Sequence, residues 1–225
     1  KPAPKRNSAP KTAASGQREL RVNVKTAKGR KVSSTLWLDR QLNDPYVARA
    51  RAEGYRSRAA YKLIELDQKF NLLRPGARIV DLGCAPGGWL QAAVKAGAKR
   101  VVGIDYLEMP HVPGSEHIEL DFLETASHWY HTKPDIFADG RKLPVAAALA
   151  DSVLLLNVLE HMPEPAACLR EAARVLRSGG TCIIEIPFLY PLHDAPRDFQ
   201  RWTEYGIRNA CKTAGLDIAE LTPLG

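Results

Sequence analysis

The chain has little of what a disulfide-stapled, metal-cluster or membrane protein needs. Its 225 residues include only four cysteines, Cys84, Cys168, Cys182 and Cys211, and no two of them form a Cys-x-x-Cys pair. This spacing predicts reduced, mostly buried thiols in a cytoplasmic protein and no metal site. No apolar run approaches the about 20 residues that cross a bilayer, so we expect no membrane contact.

Acidic residues are scarce at the start of the chain. Residues 1–32 contain ten Lys or Arg but only one acid, Glu19, whereas residues 76–225 contain fourteen basic and nineteen acidic residues. A strongly basic segment ahead of a mildly acidic domain is typical of a polyanion-binding arm on an enzyme, although a solvated tail has the same composition. Because residues 1–32 offer almost nothing apolar to bury, we expect them to be disordered.

What the chain does have is a glycine-rich turn between a strand pattern and a helix start. The turn lies in the run Ile79-Val80-Asp81-Leu82-Gly83-Cys84-Ala85-Pro86-Gly87-Gly88-Trp89. A second strand pattern ends at Asp105, where a carboxylate can accept hydrogen bonds from both hydroxyls of a ribose. The Gly-x-x-x-Gly-Gly spacing differs from the Gly-x-Gly-x-x-Gly that holds a pyrophosphate. It favours a ligand with a ribose and no phosphate, such as S-adenosylmethionine, over a plain turn with a helix cap.

Strand and helix patterns alternate along the rest of the chain. Residues 33–75 read as a helical extension, and residues 76–225 as an α/β domain with a Rossmann-like, doubly wound, mostly parallel sheet. The later elements are predicted as strands over 117–121, 135–139, 152–157, 181–186 and 217–221, and helices over 165–177 and 203–214. Two of these candidate strands end in an acid, Asp121 and Asp139, where a third strand would present a group to adenine. The closing hairpin of strands six and seven is expected to be incomplete.

Two families resemble different parts of the chain. Residues 33–124 resemble the FtsJ-type methyltransferases, which methylate a uridine ribose 2′-hydroxyl of 23S ribosomal RNA. The matching stretches are Trp37-Leu38, Asp44 to Val47, Tyr55 to Leu63, Asp81 to Trp89 and Asp121 to Leu123. Residues 125–225 are similar to the type 11 branch of class I methyltransferases, through Asp139 to Pro144, Asn157 to His161, Arg174 to Gly180 and Pro187 to His193. We therefore expect a join between two families near Glu124, within one cofactor-binding fold.

The resemblance implies a set of cofactor and RNA residues. S-adenosylmethionine would be held by the residues of the glycine turn and by acids at the strand ends: Asp81, Gly83, Ala85, Pro86, Gly87, Gly88, Trp89, Asp105, Asp121, Asp139 and Asn157. Arg56, Arg58 and Lys62 would contact RNA phosphates, although a solvated basic helix face is the alternative. The expected partner is ribosomal RNA or the large ribosomal subunit, bound by a monomer.

The catalytic tetrad of the FtsJ-type enzymes, Lys–Asp–Lys–Glu, carries over incompletely. Its first lysine matches Lys62, its aspartate falls on Asn157 and its second lysine falls on Glu185, while the final glutamate has no counterpart. A ribose hydroxyl has a pKa far above 7, so its proton needs a nearby base or cation. The type 11 half offers His161 as another general base, or as a histidine that only caps and packs.

Three functions remain open from the sequence. The leading hypothesis is a methyltransferase of ribosomal RNA. The alternatives are a type 11 methyltransferase of a small molecule and a catalytically weak RNA-binding module.

Overall fold

The computed structural model describes residues 29, 35, 39, 42–105, 107, 109–119, 140–193 and 195–223. The chain divides into two units, residues 1–48 and residues 49–225. The second unit holds every strand described below, and it also includes residues 49–75 of the predicted helical extension. The domain limits expected at residues 32 and 75 stay predictions.

Five strands form one sheet in the order β3-β2-β1-β4-β5, and each neighbouring pair is parallel. The strands are β1 (Arg78–Leu82), β2 (Arg100–Asp105), β3 (Glu116–Glu119), β4 (Ala150–Leu156) and β5 (Leu176–Glu185). The helices are α1 (Pro45–Ala52), α2 (Ala59–Phe70), α3 (Gly88–Lys95), α4 (Pro165–Val175) and α5 (Glu204–Thr213), with a 3₁₀ turn at Leu159–His161. The predicted doubly wound α/β fold is confirmed.

Both faces of the sheet are covered, as the continuous apolar runs of its strands require. On β1, Ile79 packs into one buried layer with Leu63 of α2 and Leu90 of α3. Val80 and Leu82 pack into the opposite layer, which includes residues of α4 and α5. Full burial of side chains of this size stabilises a fold by about 1.5–3 kcal/mol each. The layers fix the carboxyl ends of β1, β2, β4 and β5 against one another.

The boundary between α4 and β5 differs from the prediction. We expected a helix to Arg177 that stops at Gly179-Gly180, but α4 ends at Val175 and β5 already begins at Leu176. Leu176 pairs with Ala150 and Thr181 with Ser152, so β5 contains extra residues between these two pairs. Gly179 lies there with a positive φ of 71°. The glycines therefore accommodate a bulge inside a strand, which is the other common use of glycine in such a pattern.

The last predicted strand is wrong. Residues 217–221 are described and do not form a strand, although Ile218 packs against the core. A short alternating pattern forms a strand only when a neighbour supplies the hydrogen bonds. Within the described residues β5 is the outer strand of its side of the sheet. Among the described residues, no helix is long and apolar enough to cross a membrane.

Candidate active site

The turn after β1 needs glycine at two positions. Gly83 has a φ of 80°, and a Cβ atom there would lie only 2.7 Å from Val158 Cγ2. Gly87 has a φ of 100°, and its Cβ would lie 2.8 Å from Val112 Cγ2. Other residues rarely adopt these backbone angles. The turn therefore passes close to the chain segments that follow β2 and β4, which only glycine allows at these two positions.

Asp105 joins the end of β2 to this turn. Its Oδ2 accepts a hydrogen bond from the Ala85 backbone N at 2.7 Å, and its Oδ1 accepts one from the Leu107 backbone N at 2.8 Å. The side chain is buried, with 4% of the residue exposed. The carboxylate predicted to hold a ribose thus lies beside the glycine turn, as the spacing of the two motifs requires.

Asp81 is the most unusual group of the site. It is fully buried, and within the described chain neither of its carboxylate oxygens has a hydrogen-bond partner. Burial, reinforced by the negative charge of Asp105, raises the pKa of Asp81 well above its usual range. A cationic ligand group at this position would offset the cost of an ionised Asp81. The methionine ammonium of S-adenosylmethionine is such a group.

The Arg56 side chain binds backbone carbonyls of the protein itself. Its guanidinium donates to the backbone carbonyls of Pro86 and Pro110, and at 2.7 Å to that of His111. It thereby ties the glycine turn to the loop after β2, so its geometry favours support of the pocket over contact with RNA. Arg58, by contrast, is exposed at the start of α2. The predicted RNA contacts of both arginines and of Lys62 stay predictions.

Trp89 and Gly88 lie where α3 meets α2. The Trp89 indole N–H donates to the Ala59 carbonyl at 2.7 Å, which holds the two helices together. A Cβ at Gly88 would lie 2.6 Å from Ser57 Oγ. These two residues therefore build the wall beside the turn, whereas Ala85 and Pro86 form the turn itself. Asp121 and Asp139, the two candidate adenine ligands, lie outside the described residues.

The structure brings together the three tetrad positions that the chain retains or replaces. Lys62 Nζ, on α2, donates to Glu185 Oε1 at the end of β5. The backbone N of Asn157, just after β4, donates to the Glu185 carbonyl at 2.9 Å. Asn157 adopts a φ of 56°, a left-handed conformation that asparagine tolerates. An ammonium that donates to a carboxylate has no lone pair with which to accept the proton of a substrate.

His161 lies within a cluster that the sequence did not predict. Its Nδ1 is 2.9 Å from the Arg197 carbonyl, and its ring packs edge-on against His193, with ring centres 4.9 Å apart. Glu160 is fully buried, and its Oε1 accepts from Asn157 Nδ2 at 3.3 Å. One potential metal-ligand atom from each of Glu160, His161 and His193 lies within 4.8 Å of the others. The loop after β5 supplies His193, and because no local spacing connects it to His161, sequence patterns could not pair the two.

Asp198 anchors the loop that carries His193. It accepts two hydrogen bonds from the guanidinium of Arg201, from Nη1 to Oδ1 and, at 2.6 Å, from Nη2 to Oδ2. The Arg201 guanidinium holds the pKa of Asp198 well below its usual range. The His193 backbone N also donates to Asp198 Oδ2 at 3.0 Å. Asp198 therefore links the Arg201 side chain to the backbone of His193.

A glycine turn after β1, an acid after β2 and a site at the carboxyl ends of a parallel 3-2-1-4-5 sheet define a class I methyltransferase. A 1,6-didemethyltoxoflavin-N1-methyltransferase from Burkholderia thailandensis shares this fold, with a TM-score of 0.52 at 19% identity over 70% of this chain and 65% of that one. The FtsJ-like methyltransferase family model matches residues 55–186. The chain belongs to the FtsJ-like methyltransferase family.

Curated relatives agree with this assignment. A protein of Jannaschia sp. named "Ribosomal RNA large subunit methyltransferase E" is 48% identical over 191 residues, which cover 78% of each chain. A protein of the same name from Ruegeria pomeroyi is 47% identical over 195 residues, 78% of this chain and 79% of its own. Family and fold imply S-adenosylmethionine as the methyl donor.

The family match extends beyond the expected join near Glu124, since it reaches residue 186. A Maricaulis maris relative of the same name is 62% identical over a shorter span of 107 residues, 48% of this chain and 38% of its own. The resemblance of residues 125–225 to the type 11 branch stays a prediction.

Proposed function

We propose that the protein transfers a methyl group from S-adenosylmethionine to a ribose 2′-hydroxyl of large-subunit ribosomal RNA. The observation that carries this proposal is the glycine turn joined to Asp105, in a chain of the FtsJ-like methyltransferase family. The names of the relatives support ribosomal RNA as the substrate. The basic residues ahead of the domain supply the charge that an RNA substrate requires.

The residues present fit the methyl donor. Asp81 offers buried, unpartnered carboxylate oxygens to its ammonium, and Asp105 offers a carboxylate to its ribose. Gly83 and Gly87 let the turn pack tightly against Val158 and Val112, which fixes its backbone beside Asp105. When bound, the donor supplies an electrophilic methyl group. The chain's own residues then need only align the acceptor and give its proton a route.

The proton route is where the chain departs from its family. Glu185 pairs with Lys62, and Asn157 has, instead of a carboxylate, an amide that donates to Glu160 Oε1. Loss of a general base typically lowers a rate about 10²–10⁴-fold. We therefore expect RNA and cofactor to bind with ordinary affinity while methyl transfer is slow, unless His161 accepts the proton. In the neutral imidazole, Nδ1 carries the hydrogen that it donates to the Arg197 carbonyl, and Nε2 keeps a lone pair.

Tritium transfer tests the proposal. The full chain is incubated with methyl-tritiated S-adenosylmethionine and large ribosomal subunits that lack their native 2′-O-methyl groups. Label should appear in a ribose 2′-O-methyl nucleoside after nuclease digestion, and Gly83→Ala should abolish it. A preparation that binds the donor but labels no ribosomal RNA contradicts the proposal.

The Lys62–Glu185 ion pair favours a second candidate function, an RNA-binding module with little turnover. Its affinity for ribosomal RNA should then fall steeply with salt, by about 0.7–0.9 log units per phosphate contact for each tenfold rise. A methyltransferase of a small molecule should bind its substrate almost independently of salt. A salt titration of RNA binding, made beside the transfer assay, distinguishes the RNA-binding module from the methyltransferase of a small molecule.

A further inference from the structure

We propose that Glu160, His161 and His193 bind a divalent transition-metal ion, with Zn²⁺ the best match. One ligand atom from each residue lies within 4.8 Å of the other two. Around a tetrahedral zinc, with bonds of about 2.0–2.1 Å, ligand atoms lie roughly 3.3 Å apart. Small rotations of three side chains would therefore close the cluster onto an ion.

Both histidines are held in the tautomer that a metal site needs. His161 Nδ1 lies 2.9 Å from the Arg197 carbonyl, which can only accept, so in the neutral imidazole Nδ1 carries the hydrogen and Nε2 the lone pair. His193 Nδ1 lies 3.3 Å from both the Pro191 carbonyl and Asp198 Oδ2, so its Nε2 also keeps a lone pair. Metal-binding histidines almost always donate their second N–H to a carbonyl or carboxylate in this way.

Glu160 supplies the negative charge. The residue is fully buried, and within the described residues its Oε2 has no hydrogen-bond partner. Its Oε1 accepts from Asn157 Nδ2 at 3.3 Å and lies 4.0 Å from His161 Nε2. Arg201 contributes a positive charge nearby but is itself paired with Asp198. A buried carboxylate without a full set of partners is costly, and a divalent ion beside it offsets that cost.

The donor set selects the kind of metal. Two imidazole nitrogens and one carboxylate suit zinc and neighbouring transition metals, whereas Mg²⁺ and Ca²⁺ take oxygen ligands. Three protein ligands leave a fourth position for water, as in catalytic zinc sites. The His161 and His193 side chains are 23% and 33% exposed, so water can reach that position. The inference does not depend on RNA being the substrate, since it concerns binding of the ion alone. An ion on His161 Nε2 would take the lone pair that could otherwise accept the substrate proton, so the two roles of His161 exclude each other.

Metal titration of the full chain tests this site. Protein stripped with a chelator is titrated with Co²⁺, followed by visible absorption, and the Co²⁺ is then displaced with Zn²⁺ in a calorimeter. We expect one ion per chain with the intense absorption of a tetrahedral nitrogen and oxygen site. Loss of a residue that only supports a metal ligand weakens metal binding about 10–100-fold. His193→Ala removes a ligand itself and should weaken Co²⁺ binding by more than that.

Controls separate this result from misfolding and from binding elsewhere. His111→Ala removes an exposed histidine outside the cluster and should leave the affinity unchanged. Circular dichroism and binding of S-adenosylmethionine show whether His193→Ala is folded, and Glu160→Gln tests the carboxylate with a neutral group of the same shape. Absence of a bound ion in the unaltered protein overturns the proposal. So does equal affinity in folded His193→Ala.

Discussion

Lys62 Nζ donates a hydrogen bond to Glu185 Oε1, which links the first turn of α2 to the end of β5. The pair is partly exposed, with 41% of the lysine side chain and 18% of the glutamate side chain accessible. It occupies the place where the family resemblance implies two lysines around an acceptor hydroxyl. The residue that replaces the second lysine therefore contacts the first one directly.

We predict that Glu185→Lys accelerates methyl transfer. The substitution removes the carboxylate that holds Lys62 and adds the second cation, so the rate should rise by about 10² if general catalysis is restored. Glu185→Gln is the matched control, because it frees Lys62 without adding a charge and should give a smaller rise. Single-turnover tritium transfer measures both. A Glu185→Lys variant no faster than the unaltered protein would show that the proton leaves by another route.

Gly83→Ala should destabilise the fold and prevent cofactor binding. The alanine would be strained at a φ of 80°, and its Cβ would meet Val158 Cγ2 at 2.7 Å. Gly76 has the same φ of 80° with nothing within 4 Å of its Cβ position, so Gly76→Ala measures the strain alone. We expect the free energy of unfolding to fall by about 1 kcal/mol in the control, Gly76→Ala, and by about 1–3 kcal/mol more in Gly83→Ala. Denaturant unfolding measures the stability, and equilibrium dialysis with S-adenosylmethionine measures the cofactor affinity. Equal losses of stability in both variants would show that the Val158 side chain moves aside.

Asp81 should make the stability of the cofactor-free protein depend on pH. Its pKa is raised in the folded state above the about 3.9 of an unfolded chain. The folded protein therefore binds this proton more tightly. The stabilisation that follows is complete below about pH 3.9 and is lost as pH rises through the folded pKa.

Asp81→Asn keeps a neutral side chain, so its free energy of unfolding should fall less as pH rises above 4. Denaturant titrations over a series of pH values measure the difference. Asp217→Asn, at an exposed position, is the control and should keep the slope of the unaltered protein. Parallel curves for Asp81→Asn and the unaltered protein would mean that Asp81 stays ionised through a partner.

Arg56 and Arg58 should have separable roles. Arg56→Lys loses the fork that binds the Pro86, Pro110 and His111 carbonyls, and each bond to a charged group contributes about 1.5–3 kcal/mol. We expect it to weaken cofactor binding about tenfold or more. Arg58→Ala should leave cofactor binding intact and lower the salt dependence of RNA binding by about one phosphate contact. Calorimetry measures cofactor binding and filter binding measures RNA binding. If Arg58→Ala weakened cofactor binding and Arg56→Lys lowered the salt dependence of RNA binding, the two roles would be exchanged.

Local patterns predicted the part of the site that is built from neighbouring residues. The run from Ile79 to Trp89 and the strand ending at Asp105 were sufficient, because a strand, a glycine turn and a helix start follow one another directly. The sequence could not reveal that Gly179 serves a bulge, since glycine ends helices and bends strands equally well. Nor could it bring His193 to His161, because that contact depends on how the loop after β5 folds back over the 3₁₀ turn that follows β4.

Arg56 shows the same limit from another direction. A basic residue ahead of a helix reads equally well as a phosphate contact and as an internal clamp. Only the positions of three carbonyls from two distant loops distinguish these roles. The fold was therefore predictable from periodicity, whereas the roles of single charged side chains were not.

The two backbone bonds of Asp105 have a thermodynamic consequence. Because Ala85 N and Leu107 N already donate to this carboxylate, the turn is ordered before any ligand arrives. Because the two loops are already ordered, a ligand that binds here should associate fast, and its binding should cost little conformational entropy. Asp105 thus holds the backbone of both loops, and its loss should first be seen as faster amide hydrogen exchange at Ala85 and Leu107 in protein without added ligand.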